Sequence, residues 1–300
     1  MTNYRTRAYI YLLLVAIIWG AAGPIIKYTL GGLDPLPFLA YRFAISGVIA
    51  VLYFVFTGFS FSKIKSVIPA AIVYGLLAFT VALSALFTGL DNSTVLDLTL
   101  LATISPLIIA AGGAILFRDN ITKQEKIGVS IVLLGVIINN FYPFLAGEAR
   151  THLSGNLFLL LFLLADTSSV LFAKKAVKDS IPAIALTNIG LVVGAATLIP
   201  FVVLSTDTNL IATISALPIN YHLGVWYMAL LSGNLAYFLW VRGQQSIEVS
   251  EAALFYYLQP IFAVPLAVLW LGEHITPHFI VGAILIATGV ALAEYKRQRR

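Results

Sequence analysis

The sequence predicts an all-α integral membrane protein, with ten transmembrane helices arranged as two inverted five-helix repeats. Three observations carry this expectation. Of 300 residues, 60% are hydrophobic and 10% charged, against about 45–50% and about 25% in soluble domains, and the mean hydropathy is +0.96. Ten apolar runs each approach the roughly 20 residues that a helix needs to cross a bilayer. The two halves of the chain also match each other at a fixed offset. The composition excludes a soluble enzyme, a disordered chain and a nucleic-acid binder. The excess of 18 Lys and Arg over 13 Asp and Glu is therefore read as membrane topology. With no cysteine in the chain, disulfides, iron–sulfur clusters, thiolate metal sites and cysteine nucleophiles are excluded.

The spans follow in order. Arg5 and Arg7 precede the apolar run Ala8 to Ile26, which is too long for a signal-peptide core of about 7–15 residues and is read as a retained first span, 8–28. The turn Gly31-Gly32-Leu33-Asp34-Pro35 leads into 36–57. Runs 67–89, 94–117 and 125–142 complete a first half, and 156–174, 182–204, 221–241, 250–271 and 278–295 form a second. The connections are too short for a soluble domain. Ten spans put both termini on one side, together with all of the 18 Lys and Arg residues except Lys27, Arg42 and Arg150. The bias toward inside-facing basic residues makes that side cytoplasmic. Asp34, Asp91, Glu148, Asp207 and Glu273 fall on the other.

An offset of 154 carries Asp97 onto Glu251, Pro106 onto Pro260, Asp119 onto Glu273, Ile121 onto Ile275, Thr122 onto Thr276, Gly128 onto Gly282 and Gly135 onto Gly289. An offset of 147 carries Lys27 onto Lys174. The repeats are expected over 1–150 and 151–300. Five is odd, so the halves enter the membrane in opposite directions. Inverted repeats are the architecture of many secondary transporters, with substrate held between the halves near the midplane. The competing reading is a duplicated channel or passive facilitator.

Ile18-Trp19-Gly20-Ala21-Ala22-Gly23 through Lys27, Tyr41-Arg42-Phe43, Leu258-Gln259-Pro260 with Leu271-Gly272-Glu273, and Gly282 with Ala287-Thr288-Gly289 resemble signatures of EamA-type proteins of the drug/metabolite transporter superfamily. The resemblance spans nearly the whole chain. It implies a basket of helices around a central cavity lined by spans one, three, four, six, eight and nine. It also implies transport of small metabolites such as amino acids, nucleobase-like compounds, sugar phosphates or cations. Two positions depart from the pattern. Arg118-Asp119 replaces a Gly-Glu pair, and the sixth span has Asp166 where an aromatic is usual. By the 147 offset Asp166 is the counterpart of Trp19.

Ionisable groups inside spans are costly and usually face a cavity or a partner. Asp166 lies near the centre of span six, with no Lys or Arg within seven residues. It is read either as a proton-coupling site or cation ligand, or as a structural carboxyl bonded to Thr167 or Ser169. Arg42 and Asp97 lie at similar depth near the outer face, as an ion pair or gate. Alternatively, Arg42 grips a substrate carboxylate with its two-pronged fork. Glu251, the counterpart of Asp97, is read as a gating carboxylate or a helix-start residue. Among the amides Asn188, Asn234 and Gln259, Asn234 is the preferred ligand contact. Trp19, Tyr74, Phe79, Tyr237, Trp240, Tyr256 and Tyr257 are the aromatics in cavity spans. Trp19, Tyr74, Phe79, Asp166, Asn234, Tyr237 and Tyr256 form the expected substrate site. Pro106 and Pro260 remove backbone donors at matched positions and are expected to act as hinges. The Gly190 to Gly194 spacing suggests close helix packing.

All four histidines (His152, His222, His274 and His278) fall in loops or at span ends, and no HExxH, Walker A, GxGxxG or GxSxG sequence occurs. The expectation is a transporter and not an enzyme, without cofactor or metal, in a bacterial or archaeal cytoplasmic (inner) membrane. It exports a small polar metabolite, first an amino acid, by alternating access. Protons are a candidate coupling partner, and no obligate protein partner is expected. An organic-cation or drug exporter using Asp166 and the aromatics, through cation–π attraction, is the rival.

Overall fold

The computed structural model describes residues 2–294 except 66, 106, 110, 111, 113–122, 146–151, 179, 180, 206–208, 245, 246, 248–251 and 253. Pro106, Arg118, Asp119, Arg150 and Glu251 therefore lie outside the described residues. No strand occurs among the described residues. Six helices are long and apolar enough to cross a membrane. Four further apolar helices, Val95–Ile109, Ile127–Asn139, Leu254–Leu269 and Pro277–Leu292, are shorter.

Helix α1 is Thr2–Leu30 and α2 is Pro35–Thr57, opened by Pro35 in its first turn, where the missing proline N–H is harmless. Helix α3, Ile68–Asp91, contains a π-helical stretch at Leu76–Val81. Helix α4 is Val95–Ala102, capped by the Thr94 hydroxyl, which accepts from the Asp97 amide. Helices α5, Lys123–Leu145, α6, Leu153–Lys178, and α7, Ala183–Ser205, follow. Helix α8, Ile219–Gln244, holds a second π-helical stretch at Tyr227–Leu235. A 3-10 turn, Leu254–Leu258, leads into α9, Gln259–Leu269, and α10 is Pro277–Glu294.

The packing joins the first five helices to the last five. Helix α2 packs on α7, α4 on α9, α5 on α10, α1 on α8 and α9, and α3 on α6. The α5–α10 seam shows how sequence produces this. A β-carbon on Gly135 would meet the Gly282 carbonyl at 2.9 Å, and one on Gly289 would meet the Gly128 carbonyl at 2.6 Å. These are the four glycines matched by the 154 offset, and they allow the two backbones to touch. The Gly190–Gly194 spacing gives the close helix packing expected of it. A β-carbon on Gly190 would strike the Phe79 ring at 2.4 Å, and one on Gly194 the Phe43 ring at 2.6 Å. The two glycines seat aromatic rings from α3 and α2, with Gly75 also close to Gly190.

The outward surface is apolar. Phe56, Leu204 and Leu269 are among the most exposed side chains. In water such continuous apolar exposure would drive association; in a bilayer it meets lipid. Inside, Phe38, Phe43, Phe79 and Phe87 are fully buried in the main core.

Candidate functional site

A cavity of about 860 Å³, open mouth included, lies between the two halves of the chain. Its first-half wall is built by α1, α2, α3 and α4, through Trp19, Gly20, Arg42, Leu86 and Thr99. Its second-half wall is built by α6, α8 and α9, through Asp166, Ser232, Tyr237, Tyr256 and Gln259.

One end of the cavity is an aromatic cluster. Trp19 stands edge-on to Tyr237 with ring centres 5.2 Å apart, and lies 5.5 Å from Trp240 and 6.1 Å from Tyr256. Tyr256 meets Trp240 at 4.9 Å. The Trp19 indole N–H donates to the Ser232 carbonyl at 3.2 Å. That carbonyl belongs to the π-helical stretch of α8, whose widened turn frees carbonyls from their usual helical partners. The Tyr227 hydroxyl in the same stretch donates to the Ile18 carbonyl at 2.8 Å. Helix α1 and the π-helical part of α8 thus fix each other, and with them the ring of Trp19.

Asp166 faces this cavity without the partners that a structural carboxyl would have. The Thr167 hydroxyl donates to the Leu163 carbonyl at 2.6 Å, and the Ser169 hydroxyl to the backbone carbonyl of Asp166 at 2.7 Å. Neither caps the carboxyl group. Asp166 shares the cavity wall with Tyr237 and Tyr256.

Arg42 is 1% exposed and lines the same cavity. Its guanidinium carbon lies 5.6 Å from the Phe43 ring centre and 5.7 Å from that of Phe87. Its Nε and Nη1 are buried without a hydrogen-bond partner. The expected pairing with Asp97 is not made. Asp97 is held by the Asn139 side-chain amide at 2.8 Å and by the Ser93 hydroxyl at 3.3 Å, and Ser93 also reaches Asn156. The two residues share a depth but not a direction: Arg42 points into the cavity, whereas Asp97 turns to α5 and α6.

Three other expected site residues also fall elsewhere. Phe79 (0% exposed) and Tyr74 (4% exposed) are in the core and do not line the cavity. Phe79 supports Tyr237 from behind, with ring centres 4.9 Å apart, and Tyr74 packs on Phe79 at 5.8 Å. Phe79 is drawn away by its seat on Gly190. Asn234 is turned to its own helix: its side-chain amide donates at 2.8 Å to the Ala229 carbonyl, five residues back within the π-helical stretch. The Ser46 hydroxyl donates to the same carbonyl at 3.2 Å. Pro260 does line the cavity, but it sits in the first turn of α9, after the 3-10 turn, and does not bend a continuous helix. Thr99, Ser105 and Ser232 line the cavity without having been singled out in the sequence. Hydroxyl side chains are common within spans, and nothing in their spacing marks these three.

Near the start of α4, the Gly272 turn (φ 69°) presents Glu273 to that helix. The Glu273 carboxylate accepts from the backbone N–H groups of Val95 at 2.7 Å and Leu96 at 2.9 Å. The ammonium of Lys27 donates to the Leu90 carbonyl at 2.7 Å and the Asp91 carbonyl at 3.2 Å, at the end of α3. Burial pushes the Glu273 carboxyl above its ordinary range, outweighing the two backbone hydrogen bonds and the Lys27 charge, which pull it down.

Comparison with known proteins agrees with this architecture. The EamA-like transporter family matches residues 6–141 and again 153–295. An uncharacterized transporter, YyaM of Bacillus subtilis, is 27% identical over 95% of this chain and 92% of its own length. A probable amino-acid metabolite efflux pump of Salmonella typhimurium is 22% identical over 93% of this chain and 91% of its own, and one of Escherichia coli is 23% identical over the same shares. A protein of known crystal structure superposes with a TM-score of 0.66 over 99% of each chain at 17% identity, which shows a shared fold.

Proposed function

The chain belongs to the EamA-like transporter family; it is a multi-pass membrane transporter. From that premise and the cavity we propose that it is a ten-span secondary transporter of two inverted five-helix repeats, 1–150 and 151–300. Its cargo is a small amino acid, with apolar or aromatic side chains first. Export across the cytoplasmic membrane, with both termini inside, is the direction we infer.

The observation that carries this reading is the cavity itself, walled by both halves and holding Asp166 beside an aromatic cluster. Two features support the repeat and the rocking motion it permits. Matched helices pack on one another, α2 on α7, α4 on α9 and α5 on α10. The glycine contacts of the α5–α10 seam are reciprocal, Gly128 with Gly289 and Gly135 with Gly282, which is what a two-fold relation between halves produces. Two relatives named as amino-acid metabolite efflux pumps favour the amino-acid class and the outward direction. In this reading Asp166 takes up a proton when it releases cargo, which couples export to proton entry.

Counterflow in proteoliposomes tests the proposal. Labelled phenylalanine or leucine should accumulate transiently against excess unlabelled amino acid inside, and the rate should saturate. Linear, non-saturating flux without counterflow would establish a passive facilitator instead. The cation-exporter reading has one observation in its favour, the aromatic rings around Asp166. Inhibition by quaternary ammonium compounds without inhibition by amino acids would select it.

A further inference from the structure

Resting on the transport reading above, we infer that Arg42 is the anion anchor of the cavity, and that the cargo is bound as a zwitterion, its carboxylate on Arg42 and its ammonium on Asp166. The argument starts from what Arg42 lacks. A guanidinium presents five N–H donors, cannot lose its charge in a protein, and has no acceptor of its own. Buried in an apolar setting without a counter-ion it is strongly unfavourable, so a position of this kind is expected to receive an anion at some stage of the working cycle.

Among the described residues no counter-ion meets Arg42. Nε and Nη1 are buried and unbonded. The neighbours of the guanidinium are the rings of Phe43 and Phe87, which attract the charge but accept no ordinary hydrogen bond. The carboxylate at similar depth, Asp97, is committed to Asn139 and Ser93. On the α8 side the absence of a side chain at Gly233 lets the helix come close to the guanidinium: an added β-carbon would stand 3.4 Å from Nη2 and 2.9 Å from the Met228 carbonyl. Nε and Nη1 do not form a fork with each other, but either one paired with Nη2 presents the two parallel N–H groups that take a planar carboxylate.

The opposite pole lies in the same cavity. Asp166 is uncapped by its neighbours, and Arg42, Asp166 and Tyr237 all line the one cavity. A cavity with one unpaired cation and one unpaired anion leaves both uncompensated when a simple amine or a simple acid enters. A zwitterion neutralises both. This discriminates against the organic-cation reading, for which a buried guanidinium in the site would be repulsive.

The test uses purified full-length protein in detergent and two matched sets of probes. One set is L-phenylalanine, L-phenylalaninamide and 3-phenylpropanoate; the other is L-leucine, L-leucinamide and 4-methylpentanoate. Affinity is read by ligand-induced thermal stabilisation and equilibrium binding. The expected result is that blocking the carboxylate, or deleting the ammonium, weakens binding by about 10- to 100-fold, the loss associated with a charged hydrogen-bond partner. In Arg42→Gln the amino acid and its amide should bind alike. Should Arg42→Gln fail to fold, the probe comparison on the unmodified protein decides. If the amides bind as tightly as the parent amino acids, Arg42 is not a carboxylate anchor, although transport of amines would still stand. If 3-phenylpropanoate and 4-methylpentanoate bind as tightly as the amino acids, Asp166 does not hold the ammonium and the zwitterion assignment falls. If no probe binds and none is transported, the amino-acid reading itself falls and takes this inference with it.

Discussion

At the scale of the residue, a polar side chain inside a span does one of two jobs, and the hydrogen bonds distinguish them. The Asn234 side-chain amide bonds the Ala229 carbonyl in the π-helical stretch of α8, so Asn234→Ala should lower unfolding stability by about 0.5–1.5 kcal/mol and leave cargo affinity unchanged. A loss of affinity with intact stability, measured by denaturation and binding on the same preparation, would return Asn234 to the site. Asp166 has no such bond to its carboxyl and, in the proposed mechanism, does the other job. Asn in its place keeps the shape but holds no exchangeable proton and no charge for the cargo ammonium. Asp166→Asn should therefore reduce flux driven by a pH gradient at least about tenfold, while exchange of labelled for unlabelled cargo persists once the cargo concentration is raised to offset its weaker binding. Undiminished pH-driven flux would exclude Asp166 from proton coupling. Trp19, Asp166, Tyr237 and Tyr256 were legible as cavity-lining residues: a charge inside a span is rare enough to signal a purpose, and the three aromatics fell on spans expected to face the cavity. Phe79 and Tyr74 were misplaced because the same bulk also fills cores, and only contact with Gly190 reveals which. Arg42 was assigned the wrong neighbour because sequence gives depth along a helix, not the direction in which a side chain leaves it.

At the scale of the element, the two π-helical stretches, Leu76–Val81 in α3 and Tyr227–Leu235 in α8, were not legible, since one extra residue in a turn leaves no compositional trace. The matched glycines were legible as a repeat but not as a seam. Their role predicts a cost: a β-carbon on Gly289 would lie 2.6 Å from the Gly128 carbonyl and 2.9 Å from the Val132 nitrogen. Both are backbone atoms, so the helices must separate, and Gly289→Ala should destabilise the fold by about 1–3 kcal/mol, seen as a lower unfolding temperature in detergent. The latch from Glu273 to the start of α4 makes a prediction about pH. Burial raises its carboxyl in the native state, so the folded protein holds that proton more firmly than the unfolded chain does. Stability from this group is full below the ordinary value of 4.5 and is lost as pH rises through the native value. Thermal unfolding of the unmodified protein should therefore move to lower temperature on raising the pH through this window. In Glu273→Gln that decline should be shallower, and an identical slope in both proteins would remove Glu273 from the balance.

At the scale of the whole molecule, rocking of one half against the other requires seams between the halves to change during transport. One such seam can be locked without background because the chain has no cysteine. The hydroxyls of Thr80 in α3 and Thr197 in α7 lie 2.7 Å apart, so cysteines at both positions bring two thiols from opposite halves face to face, within reach of a disulfide or a short thiol cross-linker. The seam lies beside the π-helical stretch of α3 and the Phe79 ring that backs Tyr237, so a change in the cavity wall is felt there. Oxidation of Thr80→Cys with Thr197→Cys should abolish counterflow of phenylalanine or leucine, and reduction should restore it, while either single variant transports throughout. Binding measured on the oxidised protein should survive, because the lock holds the halves without filling the cavity. Full counterflow with the cross-link formed would mean that these two helices move as one body, and alternating access would then have to arise at other seams between the halves.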